Sequence, residues 1–296
     1  MFARLKAHYL FRKMLGRPDI QQAYKMVGPE DSWYDTITTV HNSLVKIREL
    51  PGEQLQMTSH DGFTLKAVYY PGNSQRTMIW IHGYTSHGER ESAFPGLFYH
   101  SLGFNVLIPY LRAHGPSEGT YISFGPKEAD DLKQWVDVIN EKHPDGQILI
   151  HGLSMGGGIA LDLATQELEN VKCFVVDAPS WSIAGFLEGV ASYTFKKDGK
   201  AVAKHLMNRY ERVFGVDARK FDRTENIKKG RYPLLLSAGS MEQQEGILEK
   251  ICENNPKGGR VLILPGCNHG NGMYKQTEMY QSAIREFIKV YFVESI

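Results

Sequence analysis

No stretch of this 296-residue chain approaches the roughly 20 consecutive apolar residues that a membrane-spanning helix requires. The N-terminal stretch from Met1 to Leu15 is rich in apolar side chains, but Arg4, Lys6, Arg12 and Lys13 interrupt it. That pattern argues against a secretory signal, whose apolar region is unbroken. It fits a basic amphipathic helix, either packed on its own domain or touching a membrane surface or a second subunit of a homodimer. Cysteine is scarce. Cys173, Cys252 and Cys267 are odd in number and far apart, so a disulfide framework is excluded and reduced thiols in a cytoplasmic protein are the simplest reading. Charge of one sign is also missing: 34 basic residues against 33 acidic ones leave a net charge of +1, and with it no general electrostatic reason to expect nucleic acid. No group of His, Cys, Asp or Glu has zinc or calcium spacing. The run Gly156-Gly157-Gly158 lacks the lysine of a phosphate loop. Neither a metal nor a cofactor is expected, and no internal repeat or low-complexity tract is present. What remains, 42% hydrophobic and 23% charged, is the composition of a globular protein with one large core plus an insertion.

The order of patterns specifies the class of that core. Residues 1–52 read as a polar, helical N-terminal extension, with Val40, Leu44, Val45 and Ile47 at helical spacing, closed by Pro51-Gly52. Leu55-Gln56-Met57-Thr58 and Phe63 to Tyr70 flank His60-Asp61-Gly62 as an antiparallel hairpin. Short apolar runs then alternate with helical segments. Strands are expected at 78–81, 105–108, 148–150, 173–176, 234–236 and 261–264; helices at about 89–102, 127–142 and 273–291. Continuous apolar strands between helices indicate a mostly parallel sheet covered on both faces. Ligand sites in such sheets gather beyond the carboxyl ends of the strands. Between Val176 and Leu234 no convincing strand occurs, while Trp181, Phe186, Tyr193, Phe195, Tyr210 and Phe214 stand among Lys196, Lys197, Lys204 and Arg209. A structureless loop of that length is improbable, so a small helical cap is expected at about 179–232.

Chemistry enters at Ser154. The run Ile148-Leu149-Ile150-His151-Gly152-Leu153-Ser154-Met155-Gly156 is an apolar strand, then a G-x-S-x-G turn, followed by the small-residue start of a helix. A serine hydroxyl is a weak nucleophile until a sharp turn presents it, a base takes its proton and backbone amides await the oxyanion. A second match, Gly115-Pro116-Ser117-Glu118-Gly119, comes several residues after its strand and has no helix behind it. It reads as a turn-rich loop. The amide of Met155, at the N-terminus of the helix after the turn, is an expected oxyanion donor. Asp130 and Asp131 lie on a helix whose Leu132, Trp135 and Val138 face the core, and are read as solvated or ion-paired.

With His82-Gly83 after the third strand, Arg112-Ala113-His114-Gly115 after the fourth, the Ser154 turn after the fifth and Asn268-His269-Gly270 after the last, the chain resembles the α/β-hydrolase fold. It looks similar to the bacterial serine-hydrolase branch of esterases and peptidase-like hydrolases. The resemblance covers about residues 53–292 and implies a domain over 53–296 carrying the cap insertion, with a central sheet of about eight strands flanked by helices. It implies His269 as the base and Tyr84 as the second oxyanion amide; the Tyr84 ring either forms part of the acyl or alcohol pocket or covers the core. His82 and His151 precede motif glycines and read as structural, and His87 as lining the entrance. For the acid the resemblance implies an aspartate three residues after a glycine. Here Glu242 stands at that distance from Gly239, with Asp177 and Glu245 as alternatives. The expected activity is hydrolysis of a small-molecule carboxylic ester through an acyl-enzyme. Thioesters, amides and peptides would use the same groups, and a non-catalytic binding protein of the same fold is the alternative class.

Overall fold

Aliphatic runs assemble into one eight-stranded sheet in the order β1-β2-β4-β3-β5-β6-β7-β8. The structure is a computed structural model and describes residues 2–19, 30–86 and 88–292. Two helices, α1 (Phe2–Leu15) and α2 (Ile37–Arg48), precede the hairpin of β1 (Glu53–Thr58) and β2 (Thr64–Tyr70). Alternation follows: β3 (Arg76–Ile81), α3 (Glu89–Ser101), β4 (Asn105–Pro109), α4 (Pro126–Lys142), β5 (Gln147–Leu153), α5 (Met155–Leu163) and β6 (Val171–Asp177). Between β6 and β7 lie α6 (Ile183–Phe195), α7 (Gly199–Phe214) and the single turn α8 (Arg223–Asn226). The chain closes with β7 (Leu234–Gly239), α9 (Glu245–Asn254), β8 (Gly259–Leu264), α10 (Gly272–Lys275) and α11 (Thr277–Tyr291). Pairing is antiparallel from β1 through β2 to β4 and parallel across the rest.

Alternation along the strands divides the core in two. On one face Ile79, Ile81, Ile148 and Ile150 pack with Leu132, Trp135 and Ile139 of α4 and Ile159 and Leu163 of α5. On the other, Met78, Trp80, Leu149 and Val175 pack with Phe98 and Tyr99 of α3 and Ile284, Phe287 and Ile288 of α11. With both faces covered, the strands' carboxyl ends are where loops remain free to carry chemistry.

In the segment between β6 and β7, α7 buries Val202, Ala203, Leu206, Met207, Tyr210 and Phe214 at helical spacing. Arg223 ties this segment to the sheet domain: its buried guanidinium donates to Asp162 (3.0 and 2.7 Å), to the Ser180 carbonyl (2.7 Å) and to the Phe124 carbonyl (2.6 Å). Loss of either charge would leave the other buried and unpaired, at a cost of about 3–5 kcal/mol. Helix α1 packs on its own molecule, burying Ala7, Leu10, Phe11 and Leu15, with Phe11 against the rings of Tyr121 and Phe214 (5.2 and 6.1 Å).

One expected element differs. The pattern predicts a single helix over about 273–291, but the structure breaks it at Gln276, whose φ of −119° and ψ of 46° are not helical. The Gln276 side-chain amide donates instead to the Pro265 carbonyl (3.0 Å), holding the preceding loop. Among the described residues no helix is long and apolar enough to cross a membrane.

Candidate active site

Ser154 occupies the reversal between β5 and α5 with φ 59° and ψ −111°, a conformation that costs a residue with a Cβ of order 1–3 kcal/mol. The surroundings impose it. The Ser154 amide donates to the Asp177 carbonyl (2.8 Å), and its carbonyl accepts from Gly158 (3.0 Å) and Ser180 (2.9 Å). The motif glycines are steric necessities. A Cβ on Gly152 would lie 2.2 Å from the Gly156 carbonyl oxygen, and one on Gly156 would lie 2.0 Å from that of Ile81.

Three distant segments meet at this turn. His269, on the loop after β8, places Nε2 2.8 Å from Ser154 Oγ and Nδ1 2.6 Å from Glu242 Oε2. With Nδ1–H donating to the carboxylate, Nε2 is left to accept the serine proton. Glu242 ends a short turn, Ser240–Glu242, directly after β7. Its Oε1 accepts the Gly239 amide (2.9 Å), so the longer side chain folds back on the start of its own turn. The Glu242 side chain is 7% exposed and that of His269 54%. The carboxylate is therefore shielded and the imidazole exposed.

Asp177, the alternative acid, lies at the end of the neighbouring strand and lines the same small cavity as Glu242. Its carboxylate is committed elsewhere. It accepts from the hydroxyls of Ser237 and Tyr280 and from His151 Nε2 (2.8 Å), while Tyr99 OH meets His151 Nδ1 (3.2 Å). Glu245 is exposed at the start of α9. His82 serves the backbone, with Nδ1 at the Gly83 carbonyl (2.9 Å) and Nε2 accepting the Leu111 amide (3.1 Å). His87 lies outside the described residues. Ser117 of the second motif is fully buried and donates to the Tyr110 carbonyl (2.6 Å), away from any triad partner. Asp131 pairs with Arg112 (2.7 Å), and Asp130 is exposed.

Ser154 borders the first turn of α5, which begins at Met155. A Cβ on Gly83 would come 3.6 Å from Ser154 Cβ, so the loop carrying Tyr84 lies against the serine. Neither the Tyr84 nor the Met155 amide has a hydrogen-bond partner among the described residues. The Tyr84 ring packs on Phe124 (5.0 Å) and Phe186 (6.3 Å). Its hydroxyl donates to the Met14 carbonyl (2.6 Å), and burial pushes its pKa up to about 12.

The N-terminal extension also supplies a residue that no motif announced. The Trp33 indole N–H donates to the His269 carbonyl (3.2 Å), and its ring stands edge-on to Tyr274 (5.6 Å). Beside it Asn271 donates to the Ser32 carbonyl (2.9 Å) and accepts the Asn268 amide (2.9 Å). The loop that carries the histidine is thus held by two adjacent residues, Ser32 and Trp33, that precede the sheet.

Residues 72–239, more than half of the chain, match the family described as serine aminopeptidase, S33. The chain belongs to this family. Its fold is that of the α/β hydrolases. Among curated relatives, the uncharacterized protein YqkD of Bacillus subtilis is 34% identical over 135 residues, 43% of this chain and 44% of that protein. A multifunctional-autoprocessing repeats-in-toxin protein of Vibrio vulnificus is 31% identical over 140 residues, 44% of this chain and 3% of the toxin. The chain thus spans less than half the length of either relative. Among solved structures, an esterase of Pyrococcus furiosus is 26% identical with a TM-score of 0.64, covering 84% of this chain and 96% of that one. Est1E of Butyrivibrio proteoclasticus, solved with ferulic acid, is 20% identical with a TM-score of 0.63, over 80% and 98%. That second likeness is one of fold.

Proposed function

We propose that this family member is a serine hydrolase of carboxylic esters, with Ser154 as nucleophile, His269 as base and then acid, and Glu242 as the orienting carboxylate. The observation that carries the reading is the continuous contact from Oγ through the imidazole to a shielded carboxylate, 2.8 and 2.6 Å. Ser154 Oγ attacks the acyl carbon as its proton passes to His269 Nε2. The negative charge gathered on the carbonyl oxygen meets the amides of Tyr84 and Met155. Collapse expels the alcohol, which takes the proton from His269. Water, deprotonated by the same nitrogen, then releases the acid and restores the serine. The rings of Tyr84, Phe124 and Phe186 beside the oxyanion loop support an apolar acyl or alcohol group. The likeness to the Pyrococcus esterase favours esters over the peptides that the family's description names. The free thiols of Cys173, Cys252 and Cys267 fit a cytoplasmic setting.

The test is a matched panel of nitrophenyl esters, thioesters and aminoacyl nitroanilides, with active sites counted by a fluorophosphonate probe. Esters of short to medium apolar acids are expected to turn over fastest. Preference for the anilides would move the reading to a peptidase. A folded protein that never labels would favour a binding role.

Trp33 offers a finer check on the geometry. Trp33→Phe keeps an aromatic ring, though a smaller one, and removes the N–H that holds the His269 carbonyl. It is expected to lower kcat several-fold with KM and melting temperature little changed. Trp33→Ala, which frees the loop, should lower kcat up to about 100-fold, the order associated with displacing a catalytic group by about 1 Å.

A further inference from the structure

Helix α1 carries two apolar stripes, and the fold uses only one of them. Ala7, Leu10, Phe11 and Leu15 are buried against the molecule. Phe2, Leu5 and Tyr9, spaced three and four residues apart on the opposite side, are 75%, 60% and 57% exposed. At about 100° per residue these three fall within an arc of about 60°. Their own helix carries charge of one sign. Arg4, Lys6, Arg12 and Lys13 lie on the same helix, Lys13 over the Tyr9 ring (5.9 Å), and no acidic residue occurs before Asp19.

The tip of the helical segment between β6 and β7 adjoins the same end of α1. Lys6 lies over the Phe195 ring (5.4 Å) and pairs with Asp198. Tyr193, two residues before Phe195, is 89% exposed, and Lys196, Lys197 and Lys200 follow. In a chain of net charge +1, this concentration of lysine and arginine is local. Exposed aromatic and aliphatic side chains rimmed by cations have the chemistry to enter a lipid headgroup layer while the cations pair with anionic phosphates. A second copy of this chain would bring the same positive field to a two-fold contact, which opposes self-association here.

We propose that this face, formed by Phe2, Leu5, Tyr9 and Tyr193 with their basic neighbours, docks the protein on an anionic membrane surface. The geometry gives docking a consequence for the cleft. Helix α6 runs from Phe186, which touches the Tyr84 ring, to Tyr193, a distance of about 10 Å at 1.5 Å per residue. A docked molecule therefore holds its cleft beside the lipid layer, where an ester with an apolar chain is concentrated.

The experiment is co-sedimentation of the full chain with vesicles of phosphatidylcholine alone and of an equal mixture with phosphatidylglycerol. Wild type should bind the anionic vesicles at least about tenfold more tightly and be released by salt, since charges near the surface are screened within a Debye length. The triple variant Phe2→Ser/Leu5→Ser/Tyr9→Ser and the pair Lys196→Glu/Lys197→Glu should each lose most of that binding, with melting temperature and hydrolysis of a water-soluble ester unchanged. Equal binding to both vesicles, or variants that bind like wild type, would overturn the proposal. So would a vesicle-free dimer that the triple variant splits, because the occupant of the face would then be a second copy. Docking without any hydrolysis would leave this inference standing and count only against the proposed activity.

Discussion

Ser154→Ala is expected to lower kcat on an activated ester by about 10⁶-fold and to abolish fluorophosphonate labelling, while the protein stays folded. The size follows from how the triad acts as a unit. Without Oγ, His269 has no proton to take and no acyl-enzyme forms. The oxyanion amides and the binding surface remain, so hydrolysis by water alone should persist at a residual level of about 10³ to 10⁴ over the uncatalysed rate. Stability should not fall with it. The serine side chain makes its contact in the cleft, with His269 Nε2 (2.8 Å), and alanine keeps the Cβ that the positive φ already tolerates. A melting temperature equal to or slightly above wild type is the expected companion result. A variant that keeps wild-type turnover would dismiss Ser154 as the nucleophile.

Much of this site was legible because its parts are local. The strand before Ser154, the glycines around it and the helix after it are neighbours in sequence, and their steric reasons are backbone contacts within four residues or with the adjacent strand. For His269 and Glu242 the expectation comes from the resemblance, which places each on a loop just past a strand end. Trp33 escaped because its partner is 236 positions away and nothing in Asp31-Ser32-Trp33 announces a role. Helix α1 was legible as amphipathic, but its two apolar stripes are equally convincing on paper. Only the arrival of α7 decides which stripe is buried. The break at Gln276 involves neither glycine nor proline at that position, so periodicity alone runs through it.

The choice of acid shows the same limit and yields the second large effect. Asp177 ends β6 and Glu242 lies in the turn just after the adjacent parallel strand β7, so position in the fold order allows either. Of the side chains that engage Asp177, Tyr280 reaches it from α11 over 103 positions, a separation that no local pattern reveals. Glu242→Gln is therefore expected to cut kcat about 10⁴-fold. The mechanism is one of tautomer. The Gly239 amide holds Oε1 as an acceptor (2.9 Å), so the glutamine oxygen stays there and its NH₂ is turned toward His269 Nδ1. The imidazole must then carry its proton on Nε2, facing a serine that also has one to donate. Asp177→Asn should behave in the opposite way. Its new NH₂ confronts groups that donate, the hydroxyls of Ser237 and Tyr280 and the His151 nitrogen, leaving buried donors without acceptors at about 1–3 kcal/mol. Melting temperature should fall, while kcat per fluorophosphonate-titrated site stays near wild type. If the two variants exchanged these signatures, with Asn at 177 silencing a stable protein and Gln at 242 merely softening it, the acid would be Asp177.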